Sequence, residues 1–449
     1  MHVLIYDPLH SGHHLNWVKL MVRALTPFAS RITFATTSRS ASSPEYAEHL
    51  RQASADFTLD DSVAPVDFLN VRFEGLRIAR RAWVELSRAV KRHRPDHVFV
   101  AYGDHMPMAP LVTTRSERDL GMNRSQVDAM FLQSGEVAYL RHLRLRRRIR
   151  ARLGLMGMHR LPFGRLIFMD AIVHDWMKDH CPSLSRRCVL LPDPVSPVRR
   201  YDKATARDML GIASDGRLIS CVGVLDQRKG VDEFVRSFAA APLAGNDRLL
   251  LAGRASPDVA AALGQATARV GQGRIISINR ILTGEELDLA VSAADLVATT
   301  YRCPMHLGSA SVLIRAAAAQ RPVLASEEGW LGHMTRAHSL GWIYPTLPAD
   351  RPGSIAKCLR DSAGYVSGEQ AAEFARFHSV DRFCQVVAAP FRGAPVGSGG
   401  AESLSCAAIA GDRFAEHERP SRAGPVVPRS AAVESFDAVP VPATHRSGQ

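Results

Sequence analysis

Residues 218–230 read LISCVGVLDQRKG, and residues 308–326 read GSASVLIRAAAAQRPVLAS. In the first stretch a nearly unbroken apolar run ends at Gly223. A loop of mixed charge follows, and the pair Lys229-Gly230 opens a helix. In the second, small residues open an apolar helix over 309–319, and a strand follows at 323–325. Apolar strands without alternation, joined by crossover helices, predict a parallel sheet covered on both faces.

The same alternation continues on either side. Arg248–Ala252, 274–278 and Leu296–Thr299 read as strands. Helices are expected over 231–241, Pro257–Val270 and 284–293, the last opened by Thr283 with Glu286 at capping-box spacing. Further helices are predicted at 354–361 and 369–387. The first half repeats the pattern with strands at His2–Tyr6, 31–35, 97–101, 129–133 and 166–169, and helices at 13–25 and 76–93. Two doubly wound α/β lobes are therefore expected, with boundaries at 1–193 and 194–367. The stretch 189–197, VLLPDPVSP, carries three prolines that stiffen an extended connector, and a hinge is placed there. A C-terminal helix within 368–392 is expected to return to the first lobe. Residues 393–449, rich in small residues, proline and charge without periodicity, are expected to be disordered.

Composition narrows the function classes. The net charge of +12 over 449 residues favours anionic partners, from phosphates and nucleotides to nucleic acid and membranes. Aromatics make up 7%, too few for a stacking platform, and no helix-turn-helix, zinc-finger or RNA-recognition pattern is visible. No specific nucleic-acid partner is expected. The seven cysteines contain no C-x-x-C pair, which fits a reducing cytosol and argues against a zinc site. No long apolar stretch predicts a membrane span.

Four segments carry candidate chemistry. The turn after the first strand, Asp7 to His14, contains Gly12. This glycine can bring amides close to a phosphate or can serve packing alone. The loop from Gly223 to Gly230 lies at a strand C-terminus, where open α/β sheets bind ligands, and Arg228 and Lys229 can neutralise a diphosphate there. Gly308, Ser309, Ala310 and Ser311 combine small size, hydroxyls and a helix start. The segment from Arg141 to Arg165 holds nine arginines around an apolar stripe of Leu145, Ile149, Leu153 and Met156. It reads either as a surface helix packed on its own lobe or as a peripheral contact with an anionic membrane face. Among the loop histidines His13, His14, His105 and His306, His105 is the candidate for catalysis, because it follows Tyr102-Gly103-Asp104 at a strand end.

The second half resembles the donor-binding domain of the GT-B retaining glycosyltransferases of family 4. The resemblance rests on the ordered succession of Gly223…Lys229-Gly230, LLLAGR (249–254), RIISINRILTGEEL (274–287), AADLVATTYR (293–302) and GSASVLIRAAAAQRPVLAS (308–326). It implies transfer of a sugar from a nucleoside diphosphate sugar to a hydroxyl acceptor with retention and without a metal or other cofactor. It places Arg228 and Lys229 on the diphosphate, and Gly308 to Ser311 around phosphate and sugar. Gly12 would approach across the cleft. Arg254 and the Arg280–Ile281 loop would lie by the nucleoside, and His105 near the transferred sugar. The family's two glutamates, eight residues apart, are replaced here by Leu307 and Arg315, and an arginine common in the lysine loop is Val224. Arg315 thus stands where the family holds the ribose. A non-catalytic protein of the same fold, binding a nucleotide sugar or glycan as a scaffold, is the alternative.

Overall fold

The computed structural model describes residues 1–9, 14–65, 71–132, 138, 145–303 and 306–392, with backbone only for 71–74. Gly12, His13, residues 141–144 and the tail 393–449 lie outside the described residues.

Two parallel sheets organise the chain. The first contains β1 (His2–Tyr6), β2 (Arg31–Thr37), β3 (Thr58–Val63), β4 (His97–Val100), β5 (Val127–Phe131), β6 (Leu166–Phe168) and β7 (Cys188–Leu190), in the order β3-β2-β1-β4-β5-β6-β7. The second contains β8 (Leu218–Val222), β9 (Arg248–Ala252), β10 (Ile275–Ile278), β11 (Leu296–Thr299), β12 (Val323–Ser326) and β13 (Gly341–Tyr344), in the order β10-β9-β8-β11-β12-β13. In both, the order reverses once, at β1/β4 and at β8/β11. Such switch points leave a crevice beyond the strand C-termini, because successive crossovers leave in opposite directions.

The longer helices are α1 (His14–Leu25), α2 (Val71–His93), α3 (Leu145–Arg160), α4 (Ala171–His180), α5 (Val231–Ala240) and α6 (Pro257–Val270). They continue with α7 (Gly284–Ser292), α8 (Ser311–Ala318), α9 (Gly329–Ala337), α10 (Arg351–Asp361), α11 (Glu369–Phe377) and α12 (Val380–Ala388). The helices cover both faces of each sheet, which is why the central strands read as solid apolar runs. In the first sheet Leu4, Tyr6, Val98 and Val100 pack with Trp83 and Leu86 of α2. Their strand neighbours Val3, Ile5 and Phe99 pack on the other side with Leu15 and Val18 of α1. The two-residue period of a strand sends alternate residues to opposite cores. The second sheet repeats this, with Val222, Leu250 and Val297 on one face and Cys221, Leu251 and Ala298 on the other.

Several elements differ from the sequence expectation. The strand β3 (TLDDSV) is an edge strand, mostly exposed, and its polar composition hides it. The small edge strand β13 and the helices α4 and α9 were also not expected. The helix expected at 309–319 begins only at Ser311, with Ala310 at its N-cap. The single helix expected over 369–387 breaks after Phe377. Ser379 caps α12 by accepting from the Arg382 amide (3.2 Å), and residues 378–379 pair instead with the connector. There the Val195 amide donates to the His378 carbonyl (3.0 Å) and Val195 bridges Ser379 in parallel. The two chain crossings between the lobes thus hydrogen-bond to each other. Beyond them, Phe383 and Val387 of α12 enter the same core as α1, whereas Ala371 and Phe374 of α11 belong to the second lobe's core.

Arg165, read from sequence as part of a basic surface segment, is buried. Its guanidinium donates to Asp128 through Nε (2.9 Å) and Nη2 (2.7 Å), and to the carbonyls of Val386 (2.8 Å) and Val387 (3.2 Å). A cation at the end of α12 suits the negative pole of that helix. Burial alone would raise the Asp128 carboxyl, but Arg165 and His97 outweigh it and hold it below its ordinary value.

Candidate functional site

The sharpest geometry lies at the β8/β11 switch point. β8 ends at Val222, and Gly223 takes a left-handed φ of +88°. A side chain there would bring a Cβ within 2.8 Å of the Lys229 ammonium, and one on Gly253 would sit 1.8 Å from the Gly223 carbonyl oxygen. Asp226 then closes a short turn by accepting the Lys229 amide (2.9 Å). Gly230, at φ +65°, turns the chain into α5 so close to β11 that a Cβ would lie 2.4 Å from the Thr300 oxygen. The backbone is therefore wound tightly enough to fold Lys229 back over its own strand, where Nζ donates to the Val222 carbonyl (2.8 Å).

Tyr301, at the end of β11, forms the floor. Its ring centre lies 5.3 Å from the Arg228 guanidinium carbon and 5.7 Å from Lys229 Nζ, within cation–π range. His306 then connects the two loops. Arg228 Nη1 lies 3.3 Å from His306 Nδ1, and His306 Nε2 lies 3.0 Å from the Ser309 carbonyl. Those partners assign the neutral tautomer: Nδ1 accepts from the arginine and Nε2–H donates to the carbonyl. Burial, reinforced by Arg228, pushes His306 down to about 4, so it stays neutral at physiological pH. Burial, again with Arg228, brings Lys229 down to about 8. Two cations held side by side and partly desolvated constitute a site that an anion stabilises.

The start of α8 completes the arrangement. Ala310 at the N-cap offers no capping side chain, and Val312 lines the same small cavity as Lys229 and Tyr301. The Ser309 hydroxyl is turned away and donates to Asp193 (3.0 Å). Asp193 lies on the connector, with its amide donating to His378 Nδ1 (3.1 Å). Burial lifts its carboxyl to about 6 although the Ser309 hydroxyl acts in the opposite direction.

Other expected residues stand differently. Arg254 is exposed, and its carbonyl accepts the Leu225 amide (2.9 Å), which sets its backbone beside the lysine loop. Arg280 is paired with Glu286 (2.8 and 2.5 Å) on the cap of α7, and Ile281 beside it is 71% exposed. Arg315 forms a largely buried ion pair with Asp288 (2.6 Å), which also accepts the Arg199 amide (2.9 Å). That pair ties α8 to α7 and engages the guanidinium that stands where the resembling family holds the ribose. Leu307 packs against the core cluster of the first lobe, and its carbonyl accepts the Trp330 amide (2.9 Å). Among the described residues no group of three or more His, Cys, Asp or Glu side chains is placed to hold a metal ion.

Across from this stands the β1/β4 switch point of the first lobe. Asp7 is fully buried at the end of β1, 2.5 Å from His14 Nδ1, and it accepts the Leu9 amide (3.0 Å). After β4, Gly103 packs so closely that a Cβ would meet the Met130 oxygen at 3.1 Å. The Asp104 carboxylate accepts the Leu132 amide (2.9 Å). His105 follows, with its ring 5.5 Å from that of Tyr102, and burial with the nearby Arg150 charge pushes it down to about 4. Sequence reasoning missed Asp193, Tyr301 and the Asp7–His14 pair. An acid between two prolines was a local sign of the first. The others carry no sequence signal beyond their places at strand ends.

No family model matches the chain, and no curated protein matches its sequence. Solved structures do match. Sucrose-phosphate synthase from Thermosynechococcus elongatus aligns with a TM-score of 0.64 at 16% identity, covering 87% of this chain and 98% of that one. Anabaena HepE in complex with UDP gives 0.62 at 14% identity, over 87% of this chain and 100% of the other. WaaG, a glycosyltransferase involved in lipopolysaccharide biosynthesis, gives 0.55 at 17%, over 89% and 100%. The chain thus has the GT-B fold, two Rossmann-like lobes facing across a cleft.

Proposed function

We propose that this protein transfers a glycosyl group from a nucleoside diphosphate sugar to a hydroxyl of a glycan, lipid or small molecule, with retention at the anomeric carbon. The observation that carries the reading is the joining of Arg228, through His306, to the uncapped start of α8 at a switch point, with the Lys229 ammonium beside it over Tyr301. HepE, of the same fold, has been solved with UDP and with UDP-glucose. In this reading the bond from the anomeric carbon to the β-phosphate oxygen breaks, and negative charge grows on the leaving diphosphate. Lys229, Arg228 and the α8 amides stabilise that charge more in the transition state than in the ground state. The acceptor oxygen bonds to the anomeric carbon on the face the diphosphate leaves, and its proton passes to the departing phosphate. Closure about the connector excludes water, which would otherwise hydrolyse the donor.

The test is incubation of the pure protein with UDP-, GDP- and ADP-sugars, following release of nucleoside diphosphate. Release that depends on acceptor and survives EDTA is expected. The Arg315–Asp288 pair and Leu307, standing where the resembling family has glutamates, favour a second reading: a non-catalytic protein that binds a nucleotide sugar or glycan. Calorimetric binding with no turnover on any donor would select it, and no nucleotide binding at all would sink both.

A further inference from the structure

The segment that leads into α8 is held from outside its own lobe. The Ser309 hydroxyl donates to the Asp193 carboxylate on the connector, 3.0 Å away and 116 positions earlier. Two residues before Ser309, Leu307 packs against the core cluster of the first lobe. Ala310 at the N-cap adds no capping side chain of its own. Beside this clasp the space is open, for a Cβ on Gly308 would meet nothing within 4 Å. Asp193 is fixed in turn by its amide on His378 Nδ1 (3.1 Å), between the buried Pro192 and Pro194. Among the described residues no cation forms an ion pair with its half-buried carboxylate, and the Ser309 hydroxyl is the donor that faces it. The cations lie one ring away. The Asp193 charge reaches Tyr301, whose ring also carries Arg228 and Lys229.

A carboxylate so placed responds to what binds on the cations. A diphosphate there brings negative charge, and like charge nearby favours the protonated carboxyl. Closure of the lobes acts in the same direction, because it withdraws water from a carboxylate that has one hydroxyl to accept from. A protonated carboxyl still accepts from Ser309 through its carbonyl oxygen, so the tie to α8 survives the change of charge. The groups around it hold one charge state between about pH 5 and pH 7. Burial pushes His378 down to about 3, and His306 and His338 to about 4, so all three are neutral. Burial raises Tyr301 to about 12, and it keeps its proton, while Lys229, at about 8, keeps its charge. Asp193, at about 6, is the member of this group that changes.

We propose that Asp193 is a positioning residue of the donor site: it sets the start of α8 through Ser309, and it takes up a proton when a nucleoside diphosphate sugar occupies Arg228 and Lys229 and the lobes close. By reciprocity, a proton on Asp193 strengthens donor binding. The inference rests on the donor reading of the site.

Calorimetry of the full chain with UDP-, GDP- and ADP-glucose tests it, in buffers of different ionisation enthalpy at one pH. The phosphates of these donors are both esterified and hold their charge in this range, so a proton taken up belongs to the protein. About fivefold tighter binding at pH 5 than at pH 7 is expected, with uptake of roughly half a proton at pH 6.5, as a tenfold coupling between proton and donor requires. Asp193→Asn keeps an acceptor for Ser309 and loses the charge. It should bind at both pH values about as tightly as the parent does at pH 5, with no uptake. Asp193→Ala also removes the acceptor and should bind about tenfold more weakly than Asp193→Asn at either pH. Binding that is equal at pH 5 and pH 7 and takes up no proton overturns the proposal and leaves the transferase reading standing. Uptake that Asp193→Asn retains overturns it as well, since another group would then titrate, and so does an alanine that serves as well as asparagine. Failure of every nucleotide sugar to bind overturns both readings together.

Discussion

The two switch points differ in how their polar groups are held. At β8/β11 three glycines with positive φ, Gly223, Gly230 and Gly253, wind the backbone into a cradle, and at the last two a Cβ would overlap a backbone oxygen. The cations Arg228 and Lys229 come from the same short loop. At β1/β4 the polar groups are carboxylates, the buried Asp7 on His14 and the half-buried Asp104 on the Leu132 amide, with a neutral His105 beside them. The comparison teaches a division of labour. In the proposed reaction the second lobe would supply fixed positive charge for an anion, and the first uncharged or acceptor groups suited to hydroxyls.

The strongest way to break that contrast is Lys229→Ala. It should lower kcat/KM by about a thousandfold, as loss of a preorganised charge in a transition state does, and weaken donor binding measured by calorimetry. An unaffected variant would remove the second lobe's claim to the donor. Next comes Gly253→Ala. Its Cβ would overlap the Gly223 carbonyl, so a loss of about 3 kcal/mol in urea unfolding is expected, together with weaker nucleotide binding.

Asp193→Asn sharpens the comparison through pH. The folded carboxyl sits at about 6 against an ordinary 3.8, so the native state binds the proton more tightly than the unfolded chain. Its ionisation therefore destabilises the fold progressively from about pH 4 to about pH 6 and fully above that. The variant should be more stable than the parent by roughly 2–3 kcal/mol at pH 7 and should show no gain below about pH 4. An equal effect at both pH values in urea titrations would refute the buried carboxyl. The smallest effect is expected at the first lobe. His105→Asn should reduce kcat by about tenfold while the donor dissociation constant stays unchanged. A change confined to donor affinity would erase the division between the lobes.

Much of the architecture was legible because strands covered on both faces must be apolar throughout. The runs at Leu218–Val222 and Leu296–Thr299 therefore stood out, whereas the exposed edge strand Thr58–Val63, with two aspartates, did not. The lysine loop was legible because its chemistry is local. The pairing of Arg315 was not legible, because its partner Asp288 lies 27 positions away on another helix.

By itself, then, the chain's order of residues determined two wound lobes, the glycine-lysine turn and the small-residue helix start. These depend on contacts within a few residues and on hydrophobic period. Tertiary structure decided the rest. Ser309 meets Asp193 across 116 positions, Asp193 meets His378 across 185, and Arg165 reaches Val386 across 221. No local pattern specifies such pairings, because they follow from how whole elements pack once the sheets have formed.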